Sequence, residues 1–190
     1  NIADIDPINK GPYLIDTLNA DKNTTKEESI NDIYKVEDEI HARFSAISRE
    51  YEYYISLKKD VFNYKTTHLI QQDLNIEKMK QALLIIQDYE NFEAFSKSNT
   101  DVKTYLCNIM SCSLVKKENI IIFKIKANRF LRNMVRAIMG TIVEIGLEKI
   151  SLEELHTILK SKDRSKAGPS MPAHALFLTN IEYPSNIKLQ

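Results

Sequence analysis

The spacing of apolar residues changes several times along the chain and predicts alternating strands and helices. Residues 42–57 are rich in aromatic and β-branched side chains, which favour a long strand. In residues 76–89 the apolar positions recur at intervals of three and four, which is typical of an amphipathic helix. Asn75 or Asp73 is a candidate N-cap for this helix.

The second half of the chain has clearer boundaries. The strongest predicted helix covers residues 129–145, with Gly146 as its C-terminal stop. Ser-Leu-Glu-Glu at residues 151–154 has the capping-box pattern and opens a further helix that runs to residue 160. Apolar runs bounded by polar residues predict strands at 105–115, 120–126 and 175–183, the first two forming a hairpin.

The resulting order is strand, helix, hairpin, helix, helix, strand. A hairpin makes neighbouring strands antiparallel, so we predict an α+β fold with an antiparallel sheet and helices packed on one face. The first 40 residues are weakly patterned, and there we expect a short helix near residues 13–18 and a loop at 21–29. The chain shows no internal repeat.

Composition removes several classes of protein. With 190 residues and a mass of 22.0 kDa, the chain is one domain, or one domain and part of another. Its four glycines fit neither a Rossmann fingerprint nor a P-loop. Its longest apolar run, residues 82–86, has five residues, so no membrane span is predicted. Cys107, Cys112 and four scattered histidines do not make a zinc site, and we expect two reduced thiols and no metal.

The net charge of zero hides a strong asymmetry. Residues 1–40 hold ten acids and four lysines, a net charge of −6, whereas residues 41–190 hold sixteen acids and twenty-two lysines or arginines, a net charge of +6. A polyanion responds to the local field rather than to the total, so nucleic acid remains a candidate partner.

The predicted helix at 129–145 carries the sharpest charge signal. On a helical wheel Arg129, Arg132 and Arg136 fall within roughly 60° of one another, beside Gly140. A glycine inside a helix costs about 1 kcal/mol relative to alanine, and a close backbone approach is one reason to have it. The face is either a solvated helix surface or a site for phosphate groups; the pattern alone does not decide between them.

Four motifs in order give the chain a family resemblance. They are His-Ala-Arg-Phe-Ser-Ala at 41–46 with Arg-Glu-Tyr-Glu-Tyr at 49–53, Asn-Phe-Glu-Ala-Phe at 91–95, the run from Ala127 to Gly146, and Lys-Asp-Arg-Ser-Lys-Ala-Gly-Pro at 162–169 with Leu-Phe-Leu at 176–178. Together they resemble the tRNA pseudouridine synthase A family over residues 31–184. The resemblance implies a ferredoxin-like pseudouridine synthase domain.

The family isomerises uridine to pseudouridine in the anticodon stem-loop of tRNA, without cofactor or metal. The resemblance therefore implies an isomerase that acts in tRNA processing, binds RNA, works as a homodimer and resides in the cytoplasm. A base flipped out of its stack needs an aromatic or apolar platform and polar groups at its edge.

The resemblance also assigns roles to individual residues. Tyr51 matches the tyrosine that packs on the target base, and Arg136 matches the arginine that pairs with the catalytic aspartate. A guanidinium in that place keeps a carboxylate ionised and oriented. Candidates for RNA phosphate contacts are Arg43, Arg49, Lys126, Arg129 and Arg132. The role of His41 is open between site and structure, and Lys162, Arg164 and Lys166 either touch tRNA or stabilise a loop.

The chain departs from the family pattern at its start. The family nucleophile lies in an Arg-Thr-Asp-x-Gly-Val-His-Ala motif, which is absent from these 190 residues. We therefore expect residues 1–40 to be a remnant of the N-terminal domain and linker, and residues 41–190 to be the C-terminal domain. We expect this chain alone to be inactive. A smaller departure is Ala175, where the family has glycine.

Two other functions remain as alternatives. The first is a non-catalytic RNA-binding protein derived from this family, which kept the cleft and lost the nucleophile. The second is an interaction module whose basic segment lies at a protein interface, and lack of tRNA binding at low salt would favour it.

Overall fold

A computed structural model describes residues 13–19, 28–97 and 102–187, with side chains from Lys35 onward. The strands and helices follow one another as β1 (Tyr13–Asn19), β2 (Glu28–Lys35), β3 (Ser48–Ser56), β4 (His68–Leu69), α1 (Ile76–Gln87), β5 (Ile109–Lys117), β6 (Ile120–Ala127), α2 (Met134–Gly146), α3 (Leu152–Ser161) and β7 (Leu176–Glu182). Short 3-10 turns lie at Glu93–Phe95, Arg164–Lys166 and Ala173–Ala175.

The first two strands form a separate two-stranded antiparallel sheet. The prediction of a helix near residues 13–18 is therefore wrong, because β1 is extended and pairs with β2 over its whole length. Only long-range pairing distinguishes the two states here, since the local pattern of residues 13–18 is too weak to do so. Of the predicted loop at 21–29, residues 21–27 lie outside the described residues and the last two belong to β2.

Strand β3 is the centre of the main sheet. It pairs antiparallel with β6 on one side and with β7 on the other, and its last two residues pair in parallel with β4. Strand β5 extends the sheet beyond β6. The β5–β6 hairpin turns through Glu118 and Asn119, and Glu118 adopts a left-handed backbone with φ of 49°. The predicted hairpin is confirmed, and the α+β fold is confirmed with it.

The helices cover one face of this sheet and bury its inward side chains. Alternate residues of β3 and β6 (Tyr51, Tyr53, Ile55, Ile121, Phe123 and Ile125) join the apolar faces of α1, α2 and α3 in one core. Helix α1 begins where predicted, because the Asn75 side chain accepts a hydrogen bond from the Lys78 backbone at 3.1 Å. The Ser151–Glu154 capping box also forms at the start of α3.

Helix α2 begins five residues later than predicted. Asn133 has a left-handed backbone with φ of 67°, and the Arg132 carbonyl accepts a hydrogen bond from the Lys97 backbone rather than continuing a helix. Arg129 and Arg132 therefore lie on the segment before α2, and of the three arginines only Arg136 is on the helix. In the part of the chain that the structure describes, no helix is long and apolar enough to cross a membrane.

Candidate functional site

Tyr51 lies on the inner face of β3, with Ile125 and Leu178 opposite it on the two neighbouring strands. Its side chain is 6% exposed, and its ring packs edge-on against Phe130 with centroids 5.2 Å apart. Phe130 follows β6 on the segment that leads to α2. The segment that sequence periodicity assigned to a helix therefore forms one wall around this tyrosine.

The hydroxyl of Tyr51 is a polar group in an apolar setting. Burial raises the pKa of Tyr51 to about 12, although Arg49 and Arg43 oppose the shift. The phenol is therefore neutral at physiological pH and keeps its proton as a hydrogen-bond donor. Within residues 35–97 and 102–187 the hydroxyl forms no hydrogen bond. Buried polar groups are nearly always paired, so this hydroxyl calls for a partner beyond the described residues.

Three arginines surround the Tyr51 end of the sheet, and we call Arg43, Arg49 and Arg129 the arginine cluster. Arg49 is close enough to Arg43 and Arg129 for both to lower its pKa, after the larger effect of burial. Arg43 is exposed and lies over the Phe44 ring at 5.5 Å. Like charges held together repel one another, and a bound anion relieves that repulsion.

Arg49 is held by the protein itself. Its guanidinium donates to the Ala46 and Asn128 carbonyls at 3.0 and 2.8 Å, and also to the Arg43 carbonyl. These bonds connect the 41–46 turn to the segment after β6. Arg49 therefore supports the cluster, whereas Arg43 and Arg129 form no ion pair with any described residue.

Arg136 is fixed by the segment between the last 3-10 turns, which we call the 167–172 loop. Its Nε donates to the Met171 carbonyl, and the Met171 backbone N–H donates back to the Arg136 carbonyl at 3.1 Å. The neighbouring Pro172 carbonyl accepts from the Tyr53 hydroxyl at 2.9 Å. Among the described residues no carboxylate pairs with Arg136. Its terminal nitrogens are thus available to an anionic group.

Two glycines let the 167–172 loop lie directly on α2. A Cβ on Gly140 would stand 1.7 Å from the Pro169 carbonyl oxygen, and one on Gly168 would stand 2.8 Å from the Thr141 Cα. The Gly168 N–H donates to the Thr141 hydroxyl at 2.9 Å. Gly140 is buried, so at this position the helix face is neither a solvated surface nor a phosphate site, the two alternatives that the sequence left open. Its close approach is to the protein's own backbone.

The same loop is braced from its outer side by Arg164. The guanidinium donates to the Gly168 carbonyl at 3.1 Å and to the Ser170 hydroxyl at 2.9 Å. Asn133 donates to the same hydroxyl at 2.6 Å. Burial lowers the pKa of Arg164. Arg164 therefore stabilises the loop, whereas Lys162 and Lys166 on either side of it are exposed.

The remaining predicted residues lie apart from Tyr51 or serve the local backbone. Lys126 pairs across the sheet with Glu50 and makes a 2.8 Å ion pair with Glu182, so it lies on the opposite face from Tyr51. Arg132 is exposed on the segment before α2. The Nδ1 atom of His41 accepts from the Arg43 backbone at 3.1 Å, which gives His41 a structural contact in its turn.

Neither cysteine nor histidine forms a metal site in the described part of the chain, where no group of three His, Cys, Asp or Glu residues could hold an ion. Cys107 and Cys112 are free thiols, as predicted. Burial raises the pKa of each thiol to about 11, so both are poor nucleophiles at neutral pH.

The sequence did not indicate the contacts that hold Arg136. Tyr53, Asn133 and Arg164 fix the loop that carries the Met171 carbonyl. Tyr53 and Asn133 lie far from this loop in the sequence, whereas Arg164 lies only a few residues before it. The spacing of a motif says nothing about such partners. Among the sequence features, only the 162–169 motif pointed to these contacts, because it contains Arg164, Gly168 and Pro169 within a few residues.

On this α+β domain a buried tyrosine, whose hydroxyl has no partner among the described residues, lies beside clustered arginines. Such a pair of features suits an anionic ligand with a planar ring, and a nucleotide is one. Comparisons with known proteins agree with this class. The family model described as tRNA pseudouridine synthase matches residues 88–184.

Curated relatives extend the match over most of the chain. The tRNA pseudouridine synthase A of Parabacteroides distasonis is 41% identical over 182 residues, which is 96% of this chain and 71% of the relative. The enzyme of the same name from Bacteroides fragilis is 43% identical over 84% of this chain and 64% of its own length, and that from Bacillus subtilis is 32% identical over 93% and 70%. The chain therefore belongs to the tRNA pseudouridine synthase family and spans roughly two thirds of the length of these relatives.

Proposed function

We propose that this chain is the tRNA-binding and base-holding part of a tRNA pseudouridine synthase, an isomerase that needs no cofactor. This proposal rests on two features that lie together. One is the buried Tyr51, whose hydroxyl has no hydrogen-bond partner among the described residues, and the other is the arginine cluster around it. In the reaction the bond from the ribose to N1 of uracil breaks and a bond to C5 forms. A proton leaves C5 and N1 gains one.

Tyr51 supplies the platform for the extruded base. Its ring is fixed by Phe130 and by two neighbouring strands, so it loses little conformational entropy on binding. Its raised pKa keeps the phenol protonated, and a neutral phenol can donate a hydrogen bond to a carbonyl of the ring. The unpaired hydroxyl thereby gains the partner that it lacks within the described residues.

Arg136 orients the nucleophile. Its Nε is held by the Met171 carbonyl, so its terminal nitrogens keep one direction, and a guanidinium fork matches the two oxygens of a carboxylate. The aspartate that it would hold belongs to the motif that these 190 residues do not contain. We therefore propose that residues 41–190 are the C-terminal domain, that residues 1–40 are the end of an N-terminal one, and that this chain alone does not turn over.

The basic residues have different roles in binding the RNA backbone. Arg43 and Arg129, which have no ion pair among the described residues, bind phosphates next to the target nucleotide. Arg132 extends this surface along the exposed segment before α2. Arg49 acts mainly by fixing Arg43, and Lys126 reaches RNA only on the far face of the sheet.

The finer properties rest on family membership. We propose that the substrate uridines lie in the anticodon stem-loop, that the enzyme is a homodimer and that it acts in the cytoplasm. A non-catalytic RNA-binding protein derived from this family is the second candidate, and an upstream coding region without the aspartate motif would favour it.

The test separates binding from turnover. The 190-residue chain is expected to bind tRNA with an affinity that falls steeply with salt, and to form no pseudouridine in a tritium-release assay. In a form of the enzyme that carries the aspartate, Tyr51→Ala and Arg136→Ala are expected to reduce kcat far more than they weaken tRNA binding. Lys160→Ala, an exposed charge on α3, is the matched control. Equal losses of binding and turnover would contradict these two roles, and turnover by the 190-residue chain would contradict the placement of the nucleophile.

A further inference from the structure

Three of the five most exposed large apolar side chains among the described residues lie in the loop between β3 and β4. In this aromatic loop, residues 57–67, Val61 is 76% exposed, Phe62 91% and Tyr64 62%. Large apolar side chains displayed together on a surface mark an interaction site more often than chance.

The loop has a defined shape. The Asp60 carboxylate accepts hydrogen bonds from the Phe62 and Asn63 backbones at 2.8 and 3.3 Å and from the Asn63 side chain at 2.8 Å. These bonds lower the pKa of Asp60. The Asn63 carbonyl in turn accepts from the Thr66 backbone and from the Thr67 hydroxyl. The chain therefore holds Phe62 out in solvent by a set of specific contacts.

The charge of the loop is positive. Lys58, Lys59 and Lys65 are all exposed and form no ion pair within the described residues, while the one acid, Asp60, is used inside the turn. The Lys65 ammonium lies 5.8 Å from the centre of the Tyr64 ring. Lysines that form no ion pair among the described residues thus flank the two aromatic rings on both sides along the loop.

The base of the loop is connected to the segment that carries Arg136. A ring nitrogen of His174 lies 3.1 Å from the Thr67 carbonyl oxygen, and His174 belongs to the 3-10 turn that directly follows the 167–172 loop. The aromatic loop therefore stands beside the same edge of the molecule as the Met171 and Pro172 carbonyls.

We propose that the aromatic loop is a second RNA contact, in which unpaired bases stack on Phe62 and Tyr64 while the lysines bind the adjacent phosphates. Stacking on aromatic side chains next to cationic groups is how proteins hold single-stranded nucleotides. Self-association through this loop is disfavoured, because a two-fold contact would bring two like-charged sets of lysines together. The proposal rests on the proposed function, since the RNA is the tRNA substrate.

The experiment measures binding of a tRNA transcript to the 190-residue chain by fluorescence anisotropy at several salt concentrations. Phe62→Ala is expected to weaken binding at least fivefold, which is the loss of one stacked base. Phe62→Tyr keeps a ring and is expected to bind like the wild type, whereas Phe62→Leu keeps only apolar surface and is expected to bind like Phe62→Ala. The double change of Lys59 and Lys65 to alanine is expected to lower the salt slope by about two.

Leu84→Ala serves as the matched control, because Leu84 is 65% exposed on α1 and has no aromatic ring. It is expected to change nothing. If Phe62→Leu binds tRNA as tightly as the wild type, base stacking on the ring is not needed and the proposal is wrong. If Phe62→Ala lowers the molecular mass measured by sedimentation, the loop is a protein interface and the proposal is also wrong. If Arg43→Ala weakens binding and Phe62→Ala does not, only this proposal fails. If the wild type does not bind tRNA at all, the proposed function fails as well.

Discussion

Replacement of Gly140 by alanine tests the contact on which the Arg136 site depends. In most helices this change is stabilising by roughly 1 kcal/mol, because alanine has the higher helix propensity. Here the new Cβ would stand 1.7 Å from the Pro169 carbonyl oxygen and 2.9 Å from its carbon. A backbone atom cannot rotate away, so the 167–172 loop must move as a unit.

The magnitude follows from the contacts that such a movement breaks. Overpacking of a close-packed core costs about 1–3 kcal/mol. The bond from the Gly168 N–H to Thr141 adds about 1 kcal/mol when it is lost. Against the propensity gain, we expect Gly140→Ala to lower the free energy of unfolding by about 1–3 kcal/mol.

Urea unfolding of the 190-residue chain, followed by circular dichroism, measures this difference. Thr157→Ala is the control, because Thr157 is exposed on α3 and gains helix propensity without a new contact. It is expected to unfold at the same urea concentration as the wild type or slightly higher. A Gly140→Ala chain as stable as the wild type would refute the close approach of the loop to α2.

Three further outcomes test other parts of the structure. Thr141→Val removes the acceptor of the buried Gly168 N–H and is expected to cost about 1–3 kcal/mol in the same urea assay, with an unchanged value counting against the bond. Burial opposes ionisation of Glu52, but hydrogen bonds from Lys124 and Tyr54 lower its pKa, so Glu52→Gln is expected to be less stable than the wild type at pH 7 and to lose that difference as the pH falls below about 4. If the stability difference between the wild type and Glu52→Gln instead grew towards low pH, the pKa of Glu52 would be raised and the reasoning refuted. The pKa of each thiol is about 11, so iodoacetamide at pH 8 is expected to modify Cys107 and Cys112 only slowly by mass spectrometry, and rapidly once urea unfolds the chain.

Sequence periodicity located the elements that form the core. The intervals of three and four predict α1 nearly to the residue, and the capping box predicts the start of α3, because both signals are local. The prediction of a helix at residues 129–133 was wrong because a long-range contact, and not a local signal, decides the backbone there. Leu131 is buried at a helix-like spacing, yet the backbone there is held by Lys97, which no local pattern reveals.

The site was predictable in part. The resemblance to the family selected Tyr51 and Arg136. In the structure Tyr51 is buried against Phe130, and the Met171 carbonyl holds Arg136. Charge alone could not show which of the other basic residues face the site, because the sequence does not say on which face of a strand a basic side chain lies. Strand register separates them, because Tyr51 opposes Ile125 and the following Lys126 therefore points to the other face.

The difference between Arg49 and Arg136 shows what the contacts add. Arg49 donates to three carbonyls, and burial lowers its pKa, so its hydrogen-bonding capacity is largely spent on the protein. Arg136 donates to one carbonyl and has no carboxylate partner among the described residues. A guanidinium held at one nitrogen and open at the others is oriented without being satisfied. Of the two, Arg136 is therefore the one whose geometry suits an external carboxylate, and loss of Arg49 should act on RNA binding through the position of Arg43.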